Sequence, residues 1–334
     1  MKNNVPNDER NLMEPGASPL WAIVLAAGEG TRLGQVTRML HGRAIPKQFA
    51  LLDGDRTLLQ GTLDRMGAVV PPERTVVVIA AERRGLADAQ LSAYRGLHIV
   101  HQPANLGTGP GVLLALAAVR ARAPEAPVVI TPSDHHFDAP DRLATAIRSA
   151  VTFARRSPET LTLLGAQADR PATDLGWILP GAPDRPDVSA VAGFVEKPAQ
   201  GRAEQLLREG ALWNTLIMVG SVASFWRQAK LHLPRQTTYF DAYVDALRGG
   251  ASQEAAAALL ARLYRVIPTA DFSRAVLERT RALAVVPLHG AGWSDCGTPE
   301  RLLDSLGSAA APLLRSVLLA VTGRAALAPD LRGA

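Results

Sequence analysis

The stretch WAIVLAAGEGTRLGQVTRMLHGRAIPKQ, Trp21 to Gln48, decides how the rest of the chain is read. It opens on Ala22-Ile23-Val24-Leu25, an apolar and partly β-branched run closed by Ala26, Ala27 and Gly28. That is the pattern of a short buried strand running into a tight turn. Gly28-Glu29-Gly30-Thr31-Arg32 follows, and after a further loop Pro46-Lys47-Gln48. Two glycines at a strand's end let bare backbone approach a ligand, and successive N–H groups in such a turn form an anion-binding concavity. Arg32 and Lys47 add positive charge beside it. An ordinary glycine turn with solvated cations is the plainer reading of the same residues. Two better-known phosphate loops are excluded by spacing. G-x-G-x-x-G needs glycine where Leu33 stands, and Gly-Lys followed by Ser or Thr occurs nowhere.

Outward from this stretch, 334 residues with 47% hydrophobic content fit one large α/β domain with an extension and a sizeable core. The single cysteine, Cys296, has no internal disulfide partner, and MKNNVPNDER lacks the apolar core of a signal peptide, so a cytoplasmic location is expected. The most apolar C-terminal run, Ala311 to Val321, carries Arg315 and falls short of the roughly 18 residues of a membrane span. No membrane partner is therefore expected. The net charge of +5 is scattered, with Arg83-Arg84 and Arg155-Arg156 the tightest pairs, so no nucleic-acid tract is present. Lysine occurs only at Lys2, Lys47, Lys197 and Lys230, and arginine supplies the other basic residues. A position that keeps lysine in such a chain is one where a compact, flexible charge suits better than a planar fork.

Taken in order, residues 1–18 read as a mobile tail. Strands are expected at Ala22–Leu25, Thr75–Ala80, Leu97–His101 and Pro127–Thr131, then at Leu161–Gly165, Val188–Glu196, Leu212–Val219 and Ala282–Pro287. Helices are expected at Leu58–Met66, Arg83–Tyr94 and Gly111–Arg122, then at Arg202–Glu209, Ser224–Leu231, Tyr239–Arg248 and Gln253–Tyr264. From Pro299 to about Thr322 the chain reads as helical, fraying through Ala325 to Ala334. Strand and helix alternation argues for a mostly parallel sheet with helices on both faces. Ligands in such sheets bind beyond the carboxyl ends of the strands, where the loops at Gly28, Gln102 and Asp134 open. The domain spans residues 19–300 in this reading, and a helical extension covers 301–334.

Four further clusters sit at strand ends. Gln102-Pro-Ala-Asn-Leu-Gly107-Thr108 offers an amide suited to the edge of a base, or simply a turn. Asp134, in Thr131-Pro-Ser-Asp-His-His136, and Asp295, in Trp293-Ser-Asp-Cys-Gly297, are oxygen donors for a hard cation. An Asp after a strand also serves as a helix N-cap. The histidine pair suggests zinc, but no further His or Cys stands at ligand spacing. Glu196-Lys197-Pro198 offers a hydroxyl acceptor and a phosphate partner, or a surface ion pair ahead of a proline stop. Trp213-Asn214 offers a second hydroxyl reader, or a core aromatic beside a turn asparagine.

As an ordered set, Leu25-Ala-Ala-Gly-Glu-Gly-Thr-Arg32, Pro46-Lys-Gln-Phe49, Pro132-Ser-Asp-His135, Val195-Glu-Lys-Pro198, Trp213-Asn214 and Trp293-Ser-Asp-Cys-Gly297 resemble the sugar-1-phosphate nucleotidyltransferases over residues 20 to 305. The Pro-Lys-Gln-Phe form and the Trp-Ser-Asp ending resemble the mannose-1-phosphate guanylyltransferase branch. The resemblance implies a Rossmann-like, GT-A-type mixed sheet and a Mg²⁺-dependent enzyme. Its substrates would be a nucleoside triphosphate, GTP first, and a hexose 1-phosphate, mannose 1-phosphate first. By the family pattern Arg32 holds the triphosphate and Lys47 lies by the transferring phosphorus. Ala26, Ala27, Gly28, Gly30 and Thr31 cradle the nucleotide, Gln102, Gly107 and Thr108 face its base, and Asp134 and Asp295 hold Mg²⁺. Gly176, Glu196, Lys197 and Asn214 face the sugar phosphate. Leu106-Gly107 stands where the guanylyltransferase branch usually carries Arg-Asn, which keeps a thymidylyl- or uridylyltransferase for glucose 1-phosphate as the alternative. From another class, a non-catalytic nucleotide-sugar sensor of the same fold is the competitor. A homo-oligomer is compatible with the sequence.

Overall fold

The computed structural model describes residues 18–52, 54–306 and 310–324. The expected tail up to residue 17 and the expected fraying from Ala325 lie outside the described residues. Four strands form the first half: β1 (Trp21–Ala26), β2 (Thr75–Ala80), β3 (His98–Gln102) and β4 (Pro127–Pro132). The helices between them are α1 (Gly34–His41), α2 (Leu58–Gly67), α3 (Arg84–Leu91) and α4 (Thr108–Arg120). The second half runs β5 (His136–Phe137), α5 (Pro140–Arg156), β6 (Leu161–Gln167), β7 (Gly176–Arg185), β8 (Val188–Glu196), α6 (Gln200–Arg208) and β9 (Leu212–Ser221). It continues with α7 (Val222–His232), α8 (Pro234–Arg248), α9 (Gln253–Leu263), a π-helical turn at Ser273–Leu277, β10 (Leu283–Leu288) and β11 (Trp293–Ser294). Helices α10 (Pro299–Leu306) and α11 (Pro312–Thr322) close the described chain.

Nine strands make one mixed sheet in the order β3-β2-β1-β4-β9-β6-β10-β8-β7, with β7 also pairing to β9. The expected parallelism holds for β1 with β2 and β4, for β2 with β3, and for β6 with β10. The pairings of β9 with β4 and β6, and those of β7 and β8, are antiparallel. Burial explains the halves. β1, β2 and β4 are buried along nearly their whole length because helices cover both faces, whereas β7 ends in exposed residues and β8 is mostly half-buried. One core lies on the face carrying α4, α7, α8 and α9, and the other on the face carrying α2, α3 and α5. Helix α4 is buried on all sides from Gly109 to Val119, between the sheet and α8.

Three expectations change. Strand β7 was not expected, because Pro180, Gly181 and Pro183 break its pattern; it accommodates them through register shifts against β8. The 17-residue α5 was not expected either, since alanines such as Ala146, Ala150 and Ala154 carry much of its buried stripe. The helix expected from Pro299 to Thr322 is two helices, the second starting with Pro312, a residue favoured at a helix's first position. Leu302, Leu303 and Leu306 of α10 pack in one cluster with Leu33, Val36 and Leu314. The expected domain boundary at residue 300 falls within α10.

Candidate active site

The turn after β1 is built around Gly30, which has φ +60° and leaves no room for a side chain. A Cβ there would lie 2.6 Å from Gln48 Oε1 and 2.8 Å from the Lys47 amide nitrogen. The Gln48 amide nitrogen donates to the Ala26 carbonyl at 3.2 Å and to the Gly28 carbonyl at 2.6 Å, so this buried side chain shapes the turn. Around Gly28 an added Cβ would meet nothing within 4 Å, because that backbone faces open space. Gly28, Gly30, Thr31, Arg32, Lys47, Thr108, Asp134 and Asp295 border a single cavity of about 370 Å³. Ala26 and Ala27 support it from the end of the strand and are not among its lining residues.

Lys47 is buried among oxygens. Its Nζ donates to the Asp295 carbonyl at 2.5 Å and lies 3.2 Å from Asp134 Oδ2. Asp134 is not a helix cap, since β5 follows it and α5 begins only at Pro140. Beside it, His135 Nδ1 accepts from the Trp293 indole at 3.1 Å, which leaves the ring's proton on Nε2, 3.8 Å from Asp134 Oδ1. Burial lowers the His135 pKa to about 4, against the pull of Asp134, so the ring is neutral at pH 7. The histidine is thus neutral and held by Trp293, with Nε2 beside Asp134 but beyond hydrogen-bond distance of it. Asp295 accepts from Arg301 Nη1 at 2.8 Å and lies 3.8 Å from Arg32 Nη2. Burial pushes its carboxyl up, but Arg301 together with the other neighbouring groups, Lys47 among them, outweighs this and holds it below the usual carboxylate range.

The sugar-facing residues come together on three neighbouring strands. Gly176 of β7 pairs with Glu196 of β8, and a Cβ on Gly176 would lie 2.6 Å from Glu196 Oε2 and 3.2 Å from the Asn214 Cβ. Lys197 Nζ sits 3.4 Å from Glu196 Oε1; the lysine is half exposed and the glutamate buried. Burial, with Asp271 nearby, raises the Glu196 pKa. Trp213 is a core aromatic against Trp177, while Asn214 Oδ1 accepts from the Leu216 amide at 3.1 Å. Leu216 lines the cavity, whereas Gly176, Glu196, Lys197 and Asn214 are not among its lining residues.

The base-facing residues divide. Thr108 reaches the cavity and its hydroxyl accepts from the Phe272 amide at 2.8 Å. Gln102 and Gly107 are not brought to the cavity. The Gln102 amide nitrogen donates to the Ala104 carbonyl at 2.8 Å, so the donor expected to read a base holds its own loop. Gly107, at φ +88°, starts α4 with the Ala270 carbonyl pressed against it.

The sequence reading missed Gln48, Leu216, Asp174 and Arg301. Leu216, Lys197 and Cys296 are the non-glycine residues with positive φ among the described residues, and all three flank the site. Gln48 alone carried a signal, as the neighbour of Lys47. The other three act through backbone strain or long-range pairing, which no local pattern encodes.

Asp134 and Asp295 are the two carboxylates on the cavity wall, and among the described residues no group of three or more His, Cys, Asp or Glu forms a metal cage. This donor set fits Mg²⁺, which takes one or two carboxylates and completes its shell with water and substrate phosphate. A family model of nucleotidyl transferases matches residues 21–310. The chain belongs to the nucleotidyl transferase family. It is similar to the mannose-1-phosphate guanylyltransferase of Escherichia coli (strain K12), 30% identical over 296 residues that cover 86% of this chain and 60% of that protein. It is also similar to the alginate biosynthesis protein AlgA of Pseudomonas syringae pv. tomato, 30% identical over 282 residues covering 82% and 56%. This nucleotidyl transferase thus spans less than two thirds of the length of these relatives. Among solved structures, the mannose-1-phosphate geranyltransferase from Thermus thermophilus superposes with a TM-score of 0.74 at 27% identity, covering 86% of this chain and 79% of that one. Sequence and fold together identify a member of the sugar-1-phosphate nucleotidyltransferases. No helix among the described residues is long and apolar enough to cross a membrane.

Proposed function

We propose that the protein joins a hexose 1-phosphate to the nucleoside monophosphate of a nucleoside triphosphate, releasing pyrophosphate, with mannose 1-phosphate and GTP as the favoured pair. The observation that carries this reading is that Lys47 and residues of the Gly28–Thr31 turn line one cavity together with Leu216, whose amide donates to Asn214 of the Gly176–Glu196–Asn214 group. A phosphate oxygen of the sugar phosphate forms the new bond to the α-phosphorus, and the bond from that phosphorus to the bridging oxygen breaks, its electron pair leaving with pyrophosphate. Lys47 and Arg32 stabilise the charge on the phosphates, and the turn's N–H groups orient them. Mg²⁺ held by Asp134 and Asp295 would neutralise phosphate charge further. Glu196 and Asn214 would accept and donate to sugar hydroxyls, and Lys197 would pair with the sugar's phosphate.

The alternative base and sugar, dTTP or UTP with glucose 1-phosphate, are favoured by one observation: Gln102 and Gly107 are engaged within their own loop and with Ala270, so neither presents a guanine-reading edge. Pyrophosphate release with five nucleoside triphosphates and a panel of hexose 1-phosphates is the test. Release confined to GTP and mannose 1-phosphate supports the first pair, and release with another pair moves the substrate. No release with any pair, with nucleotide still bound, supports the sensor reading.

A further inference from the structure

Two arginines and two aspartates form a chain of ion pairs that begins at the cavity, which Arg32 and Asp295 line, and continues outside its lining through Arg301 and Asp174. Arg301 of α10 reaches two carboxylates with one guanidinium, Nη1 bonding Asp295 Oδ2 at 2.8 Å and Nη2 bonding Asp174 Oδ1. Arg32 faces the same two acids more loosely, at 3.2 Å from Asp174 and 3.8 Å from Asp295. The four are unequal in exposure. The Arg301 and Asp295 side chains are 12% and 8% exposed, whereas those of Arg32 and Asp174 are 57% and 38% exposed. The inner pair is therefore fixed and the outer pair solvated.

Each acid leads to a different part of the site. Asp174 lies two residues before Gly176, where the sugar-facing group begins, and Asp295 borders the cavity itself. Arg301 in turn is anchored from below, since Leu302, Leu303 and Leu306 of its helix pack in one cluster with Leu33, next to Arg32. One helix thus supports both the turn that carries Arg32 and the guanidinium that holds both acids.

We propose that Arg301 and Asp174 form a latch, in which Arg301 is a positioning residue that holds Asp295 and the start of β7, while Asp174 parks Arg32 until nucleotide phosphates draw it away. This rests on the proposed reading that Arg32 binds the triphosphate. Because Arg301 keeps hold of Asp174, Arg32 can leave without freeing the acid. Nucleotide entry then changes one exposed ion pair and leaves the buried one intact. A lysine cannot replace Arg301, because a single ammonium does not reproduce a fork spanning two carboxylates.

The latch makes two substitutions move anion binding in opposite directions. Asp174→Asn removes Arg32's exposed competitor, and binding of inorganic tripolyphosphate, measured by calorimetry without metal, is expected to tighten about threefold, the scale of an exposed ion pair. Arg301→Met leaves two acids to compete for Arg32, one of them buried, and binding is expected to weaken about tenfold. Arg301→Lys, which retains charge, should fall between Arg301→Met and the wild type, and serves in its place if the methionine variant does not fold. In the pyrophosphate-release assay Asp174→Asn should lower the KM for nucleotide and raise that for sugar phosphate. Both variants weakening tripolyphosphate binding in step with their melting temperatures would overturn the latch, as would unchanged binding in both, or no binding by wild type and Asp174→Asn alike. If opposite shifts occur while no substrate pair releases pyrophosphate, the latch stands and the proposed reaction falls.

Discussion

The two ends of the site are built from different material. At the proposed nucleotide end, β1 and β4 run parallel, and the surface offered to a ligand is the glycine turn after β1, the cations of Arg32 and Lys47, and the carboxylates of Asp134 and Asp295. At the proposed sugar end, β8 and β9 each pair antiparallel with β7, and the Glu196 and Asn214 side chains stand on these two flanking strands with Gly176 of β7 as the gap between them. A phosphate cradle needs only a turn of the right conformation and positive charge. A sugar site needs hydroxyl partners at several positions, which cross-strand register supplies. On the proposed function, specificity for the hexose would be a property of strand pairing, and nucleotide affinity a property of one loop.

That contrast breaks most sharply at Lys47. Lys47→Ala should lower kcat by about 10²- to 10³-fold, the usual effect of losing one well-placed electrostatic contributor. A variant that retains most of its turnover in the pyrophosphate assay would refute the role given to the nucleotide end. Gly30→Ala forces a side chain against Gln48 and the Lys47 backbone at positive φ, and should cost about 1–3 kcal/mol in thermal or denaturant unfolding, with weakened nucleotide binding. At the other end, Gly176→Ala displaces the Glu196 carboxylate. It should raise the KM for sugar phosphate by about tenfold and leave nucleotide affinity within twofold of the wild type. Equal damage to both substrates would show that the two ends are one unit.

The mildest test uses pH. Burial raises the Glu196 pKa above its ordinary value, so between that value and the raised one the folded protein binds the proton more tightly than the unfolded chain. This contribution is present below the ordinary glutamate pKa and is lost as pH rises through the raised one. Glu196→Gln should flatten that decline in denaturant unfolding at a series of pH values, while weakening sugar-phosphate binding. An unchanged pH slope would remove Glu196 as its source.

The same contrast explains what could be read from sequence. The Gly28–Arg32 turn and Asp134 were legible because each follows a strand whose apolar run is plain, and the fold puts such ends on one edge; Lys47, in the short turn of helix at Lys47–Phe49, was legible as one of four lysines in an arginine-rich chain. Glu196, Lys197 and Asn214 were legible only as motifs, since their proximity depends on the register of β7, a strand that its prolines conceal. Gln102 lies outside the cavity lining, its amide engaged by its own loop carbonyl, which a strand-end amide has within reach. Arg301 was invisible because Thr298-Pro-Glu-Arg301 reads as the start of a surface helix, and its two acids are 6 and 127 residues away in sequence.

Cys296 gives the molecule a clock. It is the chain's one thiol, fully buried between Lys47 and the cluster of α10 and α11, and burial pushes its pKa up to about 11. A thiol reagent can therefore modify it only when those helices lift from the domain, so the rate of labelling counts such openings in the native protein. Nucleotide bound at the proposed site beside Lys47 should make that clock run slower.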